Sequence, residues 1–281
     1  MGEMVSTSRF VFVGGLHRSG TTPLARELAD HPDISGLTGT GVPEDEGQHL
    51  QDVYPRLRAH GGMGRFALSP RAHLTAEDVR PDTRERLLSA WTPYWNLDAP
   101  LLLEKSPANL IMGRYLQAAF PESALVVVIR HPVVTALALQ KWNPTIIARN
   151  GRRRATMSTM IANWVRAHDL LAADAEHLSR LHVLRYEDLV ADPAGQLAPV
   201  GTLLALSRPP TGASIKGGHN DRYAEEWRAM ARGRPWQRMA HRRVLAEHSD
   251  AVARWGYSLE DPAVTRSWSW SSATQEGGLA G

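Results

Sequence analysis

This sequence predicts an α/β fold, a three-layer P-loop-type arrangement with a central parallel sheet flanked by helices. Three observations carry that expectation. Phe10-Val11-Phe12-Val13 is an apolar strand that runs through a loop bounded by glycines into a helix with Leu24, Leu28 and Ala29 on one side. Ala124 to Ile129 is continuous, branched and apolar, as in a parallel strand covered on both faces. Strands and helical stretches then alternate, which gives a parallel sheet whose ligands bind at the carboxyl ends of its strands.

The elements follow in order. A helix over about Thr21 to Ala29 stops at His31-Pro32, because proline cannot continue it. Residues 33–70 are rich in Gly and Pro without a sustained period and read as loops and short pieces. A helix over about Asp82 to Trp95 carries Leu87, Leu88 and Trp91, and Leu101 to Leu103 is a short strand. Ser106 and Pro107 look like the cap and first residue of one helix with Leu110, Ile111, Leu116 and Phe120 on its buried face. The Ala124–Ile129 strand ends in Arg130-His131-Pro132, where the next helix begins. A long helix spans about Ala155 to His177, and Leu181 to Tyr186 is the last core strand. The remainder is helical around a glycine-rich break at Lys216-Gly217-Gly218, with a last helix over about Trp236 to Trp255 ending at Gly256. One domain over residues 1–261 is expected, with residues 33–100 shaping a pocket and residues 262–281 forming a loose tail.

Composition narrows the function. The 281 residues are 43% apolar and 22% charged, enough for a sizeable core. There is no cysteine, which excludes disulfides and thiolate metal sites. The start MGEMVSTSRF has no signal-peptide core, and no stretch approaches the ~20 apolar residues of a membrane span. The expectation is a soluble cytoplasmic protein of open oligomeric state. A net charge of +3 does not by itself point to nucleic acid. Only Lys105, Lys141 and Lys216 among the 32 basic residues are lysine, so each stands out as a compact point charge in an arginine background.

The chemistry gathers just past the strand ends. Gly15 and Gly20 stand five apart, the frame of a phosphate-cradling loop, but Thr21-Thr22 occupy the places where a nucleotide triphosphatase has Lys and Ser/Thr. Backbone N–H groups of Ser19 to Thr22 and the helix N-terminus suit a phosphate. Arg18, Lys105 and Arg130 each follow a strand, so a parallel sheet puts all three on one edge and makes that edge seek anions.

These residues resemble a known family, the sulfotransferases that use 3′-phosphoadenosine 5′-phosphosulfate (PAPS), in particular a bacterial, carbohydrate- and tyrosylprotein-like branch. His17-Arg18-Ser19-Gly20-Thr21-Thr22 is similar to its 5′-phosphosulfate loop, and Ile129-Arg130-His131-Pro132 to the start of its 3′-phosphate segment. Glu104-Lys105-Ser106-Pro107, Arg185-Tyr186-Glu187-Asp188-Leu189 and Lys216-Gly217-Gly218-His219-Asn220-Asp221-Arg222-Tyr223 match further recurrent stretches in family order. The resemblance implies a transferase in which His17 to Thr22 hold the 5′ end of the donor. It places Arg18 beside the bridging oxygen, Thr21 and Thr22 on the 5′-phosphate, Arg130, Lys216 and Gly217 on the 3′-phosphate, and Tyr186 near the adenine. Arginine, lysine and N–H donors can stabilise the charge that develops in sulfuryl transfer without a metal. Two departures stand out: Ala138 stands where a serine is usual, so one phosphate ligand is missing or is replaced by Thr135, Lys141 or Arg152-Arg153-Arg154, and Pro23 replaces an aromatic.

A general base must reach the acceptor's proton. The loop Gly41 to His49 offers Glu46 first, then His49 and Glu44. Trp95 and Trp142 are candidates to line an acceptor pocket. The sequence thus points to sulfuryl transfer from PAPS to a hydroxyl of a small molecule or glycoside, with Arg18 and Lys105 stabilising the leaving oxygen. The alternatives are a P-loop kinase of a small metabolite and a non-catalytic nucleotide-binding protein.

Overall fold

The glycine-bounded loop leaves the middle strand of a five-stranded sheet. A computed structural model describes residues 9–142, 155–217, 220–268 and 270. The strands are β1 (Arg9–Gly14), β2 (Ile34–Gly36), β3 (Leu101–Lys105), β4 (Ala124–Ile129) and β5 (Leu181–Arg185). They lie in the order β2-β3-β1-β4-β5, every pairing parallel. In chain order the described α-helices are α1 (Thr21–Ala29), α2 (Thr83–Trp91), α3 (Gly113–Ala119), α4 (Pro132–Trp142), α5 (Met157–Asp174), α6 (Tyr186–Ala191), α7 (Pro193–Leu204), α8 (Asn220–Arg232) and α9 (Pro235–Ala253). Among the described residues no helix is long and apolar enough to cross a membrane.

The chain divides into two compact units. The first takes the described parts of Met1–Arg56, His73–Ile129 and Glu176–Gly217 and holds the whole sheet. Its core follows from strand periodicity, which sends alternate side chains to opposite faces. Val11, Val13, Leu103, Val126 and Val128 meet Leu24, Ala25 and Leu28 of α1 and Leu189, Leu197, Val200 and Leu204 of α6 and α7. On the other face the rings of Phe10 and Phe12 lie 4.7 and 5.5 Å from Phe120, with Trp91 6.2 Å from Phe12. Each of these side chains contributes about 1.5–3 kcal/mol by leaving water. Helices on both faces of a parallel sheet make the three layers that the alternation predicts.

Several boundaries differ from the sequence reading. The stretch read as loops contains β2, an edge strand of three residues that among the described residues pairs with β3 alone and is too short to show a period. The single helix expected after Ser106 is a 3₁₀ segment, Pro107–Ile111, and then α3, with Met112 at the break in a non-helical conformation. Ser106 does not cap it, because its hydroxyl donates to Glu104 instead. The helix expected to run to Trp95 ends at Trp91 and tightens to a 3₁₀ turn, Thr92–Tyr94, at Pro93. Trp95 is a core residue whose indole N–H donates to the Leu103 carbonyl at 2.9 Å, whereas Trp142 is 45% exposed at the end of α4.

The second unit comprises the described parts of Leu57–Ala72, Arg130–Ala175 and Gly218–Gly281. Here α5 packs against α4 and α9, and α8 against α4 and α9. Its centre is aromatic: Trp164 stands edge-on to Trp255 at 6.1 Å, and the His168 ring lies 4.1 Å from Trp164 and 5.4 Å from Trp255. Gly256, at φ 73°, closes the end of α9 as the sequence suggests. The stretch read as a loose tail is partly built in, through an antiparallel bridge of Tyr257 with Thr265 and a Trp270 ring 6.2 Å from Trp255.

Burial holds His168 at a pKa of about 4, and burial with the Arg130 charge holds His131 there too. The folded chain therefore binds fewer protons than the unfolded one between the ordinary histidine value of about 6.5 and 4. Stability is full above that window and falls as pH drops through it. His168→Phe, which keeps a ring against Trp164 and Trp255, should make the decline of the unfolding midpoint between pH 6.5 and 4 shallower. An unchanged slope would contradict this account.

Candidate functional site

The cradle is built at the carboxyl edge of the sheet. Val13 of β1 is level with Lys105 of β3, so the chains leaving both strands start side by side. After Gly14 the chain turns, with the Ser19 N–H donating to the Leu16 carbonyl at 3.0 Å. Gly15 has φ 152°, and a side chain there would meet the Val128 carbonyl oxygen at 2.6 Å. Gly20 caps α1 at φ 108° with the ring of Tyr186 where a Cβ would lie, so only glycine fits. Arg18 takes φ 70°, a left-handed conformation that costs a non-glycine residue about 1–2 kcal/mol and is tolerated mostly at functional sites. The Arg18 side chain is exposed, Thr21 is buried and Thr22 half-buried.

The N–H groups in the first turn of α1 have no acceptor within the helix. The Ser19 hydroxyl is buried with no hydrogen-bond partner among the described residues. Buried polar atoms are rarely left so. An anionic oxygen held by this loop would satisfy both, so the residues present fit the 5′ end of a phosphorylated nucleotide.

Beside the cradle lies a buried polar network centred on Glu104, a β3 residue. One Glu104 oxygen accepts the Gly47 N–H at 2.9 Å and the Ser106 hydroxyl at 2.5 Å; the other accepts the Asn109 amide at 2.7 Å. Asn109 also donates to the Val13 carbonyl at 3.1 Å, and the Ser106 hydroxyl accepts the Gln48 N–H at 3.0 Å. The Gly47 carbonyl in turn accepts the Trp91 indole N–H at 3.1 Å. The loop 46–48 is thereby tied to the ends of β1 and β3. Burial pushes the Glu104 carboxyl above its ordinary value, against the pull of Ser106, Asn109 and Lys105.

That loop delivers Glu46 onto Lys105. Their side chains meet at 3.1 Å, each less than a tenth exposed. The other Glu46 oxygen accepts the Gln48 amide at 2.5 Å and lies 3.5 Å from His49 Nε2. Burial alone would raise the Glu46 carboxyl, but His49, Lys105, His17 and Gln48 outweigh it and hold it at about 2. His17 is lowered to about 4 by burial; Glu46 opposes the fall, and Lys105, His49 and Arg18 add to it. At neutral pH the group therefore holds an ionised Glu46 and a neutral His17 beside Lys105.

The sequence-derived candidates separate on this geometry. Glu46, His49, His17 and Lys105 come together. Glu44 does not join them, being exposed and paired with Arg26 at 3.8 Å. Lys216 and Gly217 are exposed at the end of the first unit. Arg130, the residue after β4, belongs to the second unit, where its guanidinium donates twice to the Asn220 side-chain oxygen and its carbonyl accepts the Trp164 indole N–H at 2.9 Å. Thr135 donates to the His131 carbonyl at 3.0 Å, Ala138 is buried, and Lys141 is exposed. Arg152, Arg153 and Arg154, with Gly218 and His219, lie outside the described residues. Sequence reasoning missed the positioning residues Glu104, Ser106, Asn109 and Asn220. A glutamate in the apolar run Leu101-Leu102-Leu103-Glu104 was a signal for Glu104, since a strand buried on both faces has no solvent for a carboxylate.

Three comparisons bear on this arrangement. A model of the sulfotransferase family matches residues 11–210. Nodulation protein NoeE of Sinorhizobium fredii is 25% identical over 232 residues, covering 75% of this chain and 53% of that protein. Protein-tyrosine sulfotransferase A of Caenorhabditis elegans is 23% identical over 210 residues, covering 71% and 50%. The chain thus spans about half the length of the curated relatives it matches. Among solved structures, sulfotransferase STF9 of Mycobacterium avium has a TM-score of 0.50 at 17% identity over 89% of this chain and 78% of its own, a likeness of fold.

Glu104→Gln turns one acceptor oxygen into a donor facing donors, and the mismatch should destabilise the chain by about 1–3 kcal/mol. Denaturant unfolding reads this as a lower midpoint at unchanged slope. A midpoint equal to wild type would show that the network does not hold the loop.

Proposed function

We propose that this chain, which belongs to the sulfotransferase family, transfers a sulfuryl group from PAPS to a hydroxyl of a small molecule or glycoside. The observation that carries the reading is the buried Glu46–Lys105 pair at the end of β3, level with the start of the glycine-bounded loop. A carboxylate and a cation so close give one site an acceptor for a proton and a donor for a leaving oxygen.

Each residue takes a part. Ser19, Gly20, Thr21 and Thr22 would hold the 5′-phosphate with N–H and O–H donors at the α1 N-terminus. Tyr186, whose ring packs on Gly20, would form the adenine side of the cradle. Arg130, Lys216 and Gly217 would take the 3′-phosphate, as the resemblance implies. When bound, the donor supplies a sulfuryl group already activated by its phosphate leaving group. Arg18 and Lys105 would neutralise charge on the leaving oxygen, while Glu46 accepts the acceptor's proton and His49 supports it.

The ion pair constrains Glu46. A carboxyl held at about 2 is a weak base, and Lys105 is one of the groups holding it there. Drawing Lys105 toward a leaving oxygen would raise the basicity of Glu46 as the proton must be taken, coupling the two roles. The loops of residues 33–100, which include Glu46, would shape the acceptor pocket. Cytoplasmic location belongs to the same reading.

The decisive measurement is a calorimetric titration with 3′,5′-adenosine bisphosphate against ATP–Mg²⁺, in which the bisphosphate should bind more tightly. Preference for ATP–Mg²⁺ would favour a kinase, and bisphosphate binding without sulfate transfer to any acceptor would leave a binding protein. Arg18→Ala should lower turnover by about 10²–10³-fold at an unchanged thermal midpoint. Glu46→Gln should lower it by about 10²–10⁴-fold. Near-normal rates in either variant would remove that residue from the mechanism.

A further inference from the structure

We infer that Glu27 is a positioning residue for Lys216 and Gly217, acting through a strap of chain that it fastens along α1. The inference rests on the reading of Lys216 and Gly217 as ligands of the donor's 3′-phosphate. Glu27 has no part in the resemblance on which that reading draws.

Glu27 lies in α1 three residues after Leu24 and one before Leu28, both of which pack in the core, and is only 5% exposed. A carboxylate there is costly unless fully hydrogen-bonded. One oxygen accepts the Gly212 N–H at 2.6 Å and the Thr211 hydroxyl at 3.4 Å; the other accepts the Ser214 N–H at 2.8 Å and its hydroxyl at 2.5 Å. Burial works to raise this carboxyl, and the bonds from Ser214, Gly212 and Thr211 outweigh it and hold it low. All four donors come from one short segment.

Two more ties set the direction of that segment. The Ser207 N–H donates to Asp33 at 2.6 Å, and His31 Nε2 donates to the Arg208 carbonyl at 3.0 Å. As the strap advances from 207 to 214, its partners retreat from 33 to 27, so it runs antiparallel to α1, toward the Gly20 end. Among the described residues Glu27 receives the last side-chain hydrogen bonds of the strap before Lys216, and Ile215 between them packs on the core of the first unit. From Glu27 to Thr21 the helix rises about 9 Å. Two residues of extended chain from Ser214 span about 7 Å, and the flexible lysine stem covers the rest. The tether therefore sets how far the chain has travelled when Lys216 arrives beside the first turn of α1.

The test is a double-mutant cycle. Wild type, Glu27→Gln, Lys216→Ala and the double variant are titrated by calorimetry with 3′,5′-adenosine bisphosphate and with adenosine 5′-phosphosulfate, which lacks the 3′-phosphate. Glu27→Gln should weaken the bisphosphate about tenfold and the phosphosulfate less than about twofold, and it should add nothing in the Lys216→Ala background. Additive losses, equal losses for both ligands, or no loss would overturn the inference. Ser214→Ala, which removes one of the four bonds from the strap side, should weaken the bisphosphate about threefold and keeps the test available if Glu27→Gln does not fold. If wild type itself does not prefer the bisphosphate to ATP–Mg²⁺, the functional reading falls and the role of Lys216 with it. Normal wild-type binding with additive losses sinks the Glu27 inference alone.

Discussion

The Glu104 carboxylate is buried at the end of β3, and the geometry of the site hangs on how its hydrogen bonds are filled. Water cannot reach it, so every lone pair must find a protein donor, and those donors come from three directions: the loop at Gly47, the turn at Ser106, and Asn109, which is also bonded to the end of β1. A loop of five consecutive polar or glycine residues, Glu44 to Gln48, has little apolar surface with which to hold itself. It is held because a buried acceptor in the sheet needs its N–H. The same bonds set Glu46 against Lys105, the next residue along the strand.

A charged cluster then forms with little freedom in its protonation. Glu46 stays ionised because Lys105 and its neighbours outweigh burial, and His17 stays neutral because burial prevails over the pull of Glu46. These are opposite outcomes of one competition, decided by the net charge already present around each group. Lys105 is common to both. A change in its position is felt by the carboxylate and the imidazole together, which makes it the point of coupling in the site.

The first unit applies the same device a second time. Glu27 in α1, like Glu104 in β3, is a carboxylate placed where the pattern calls for an apolar side chain, and each draws an irregular segment onto a regular element. Irregular chain bonded this way keeps a defined place without a hydrophobic face of its own. Two stretches that carry candidate ligands, 46–49 and 211–217, are ordered in this way.

Much of the architecture was legible in the residues. The branched run Ala124–Ile129, the apolar run into Gly15-x4-Gly20 and the helix after it declare themselves through local pattern and chain stereochemistry, and the structure has them at those places. β2 was not legible because a three-residue edge strand has no period, and the break at Met112 was not because Ser106 gives its hydroxyl to a residue outside the helix it seemed to cap. The grouping of Glu46, His49, His17 and Lys105, and the departure of Glu44 from it, depended on pairings across as many as 88 sequence positions, and no local rule reports such pairings. By itself the sequence determined the parallel sheet, the glycine-bounded loop and the set of residues able to bind anions, since these follow from backbone stereochemistry and short-range periodicity. Only the tertiary structure decided which carboxylate meets the lysine and which ones serve as anchors, because that choice is made by burial and by the hydrogen-bond demand of groups removed from water.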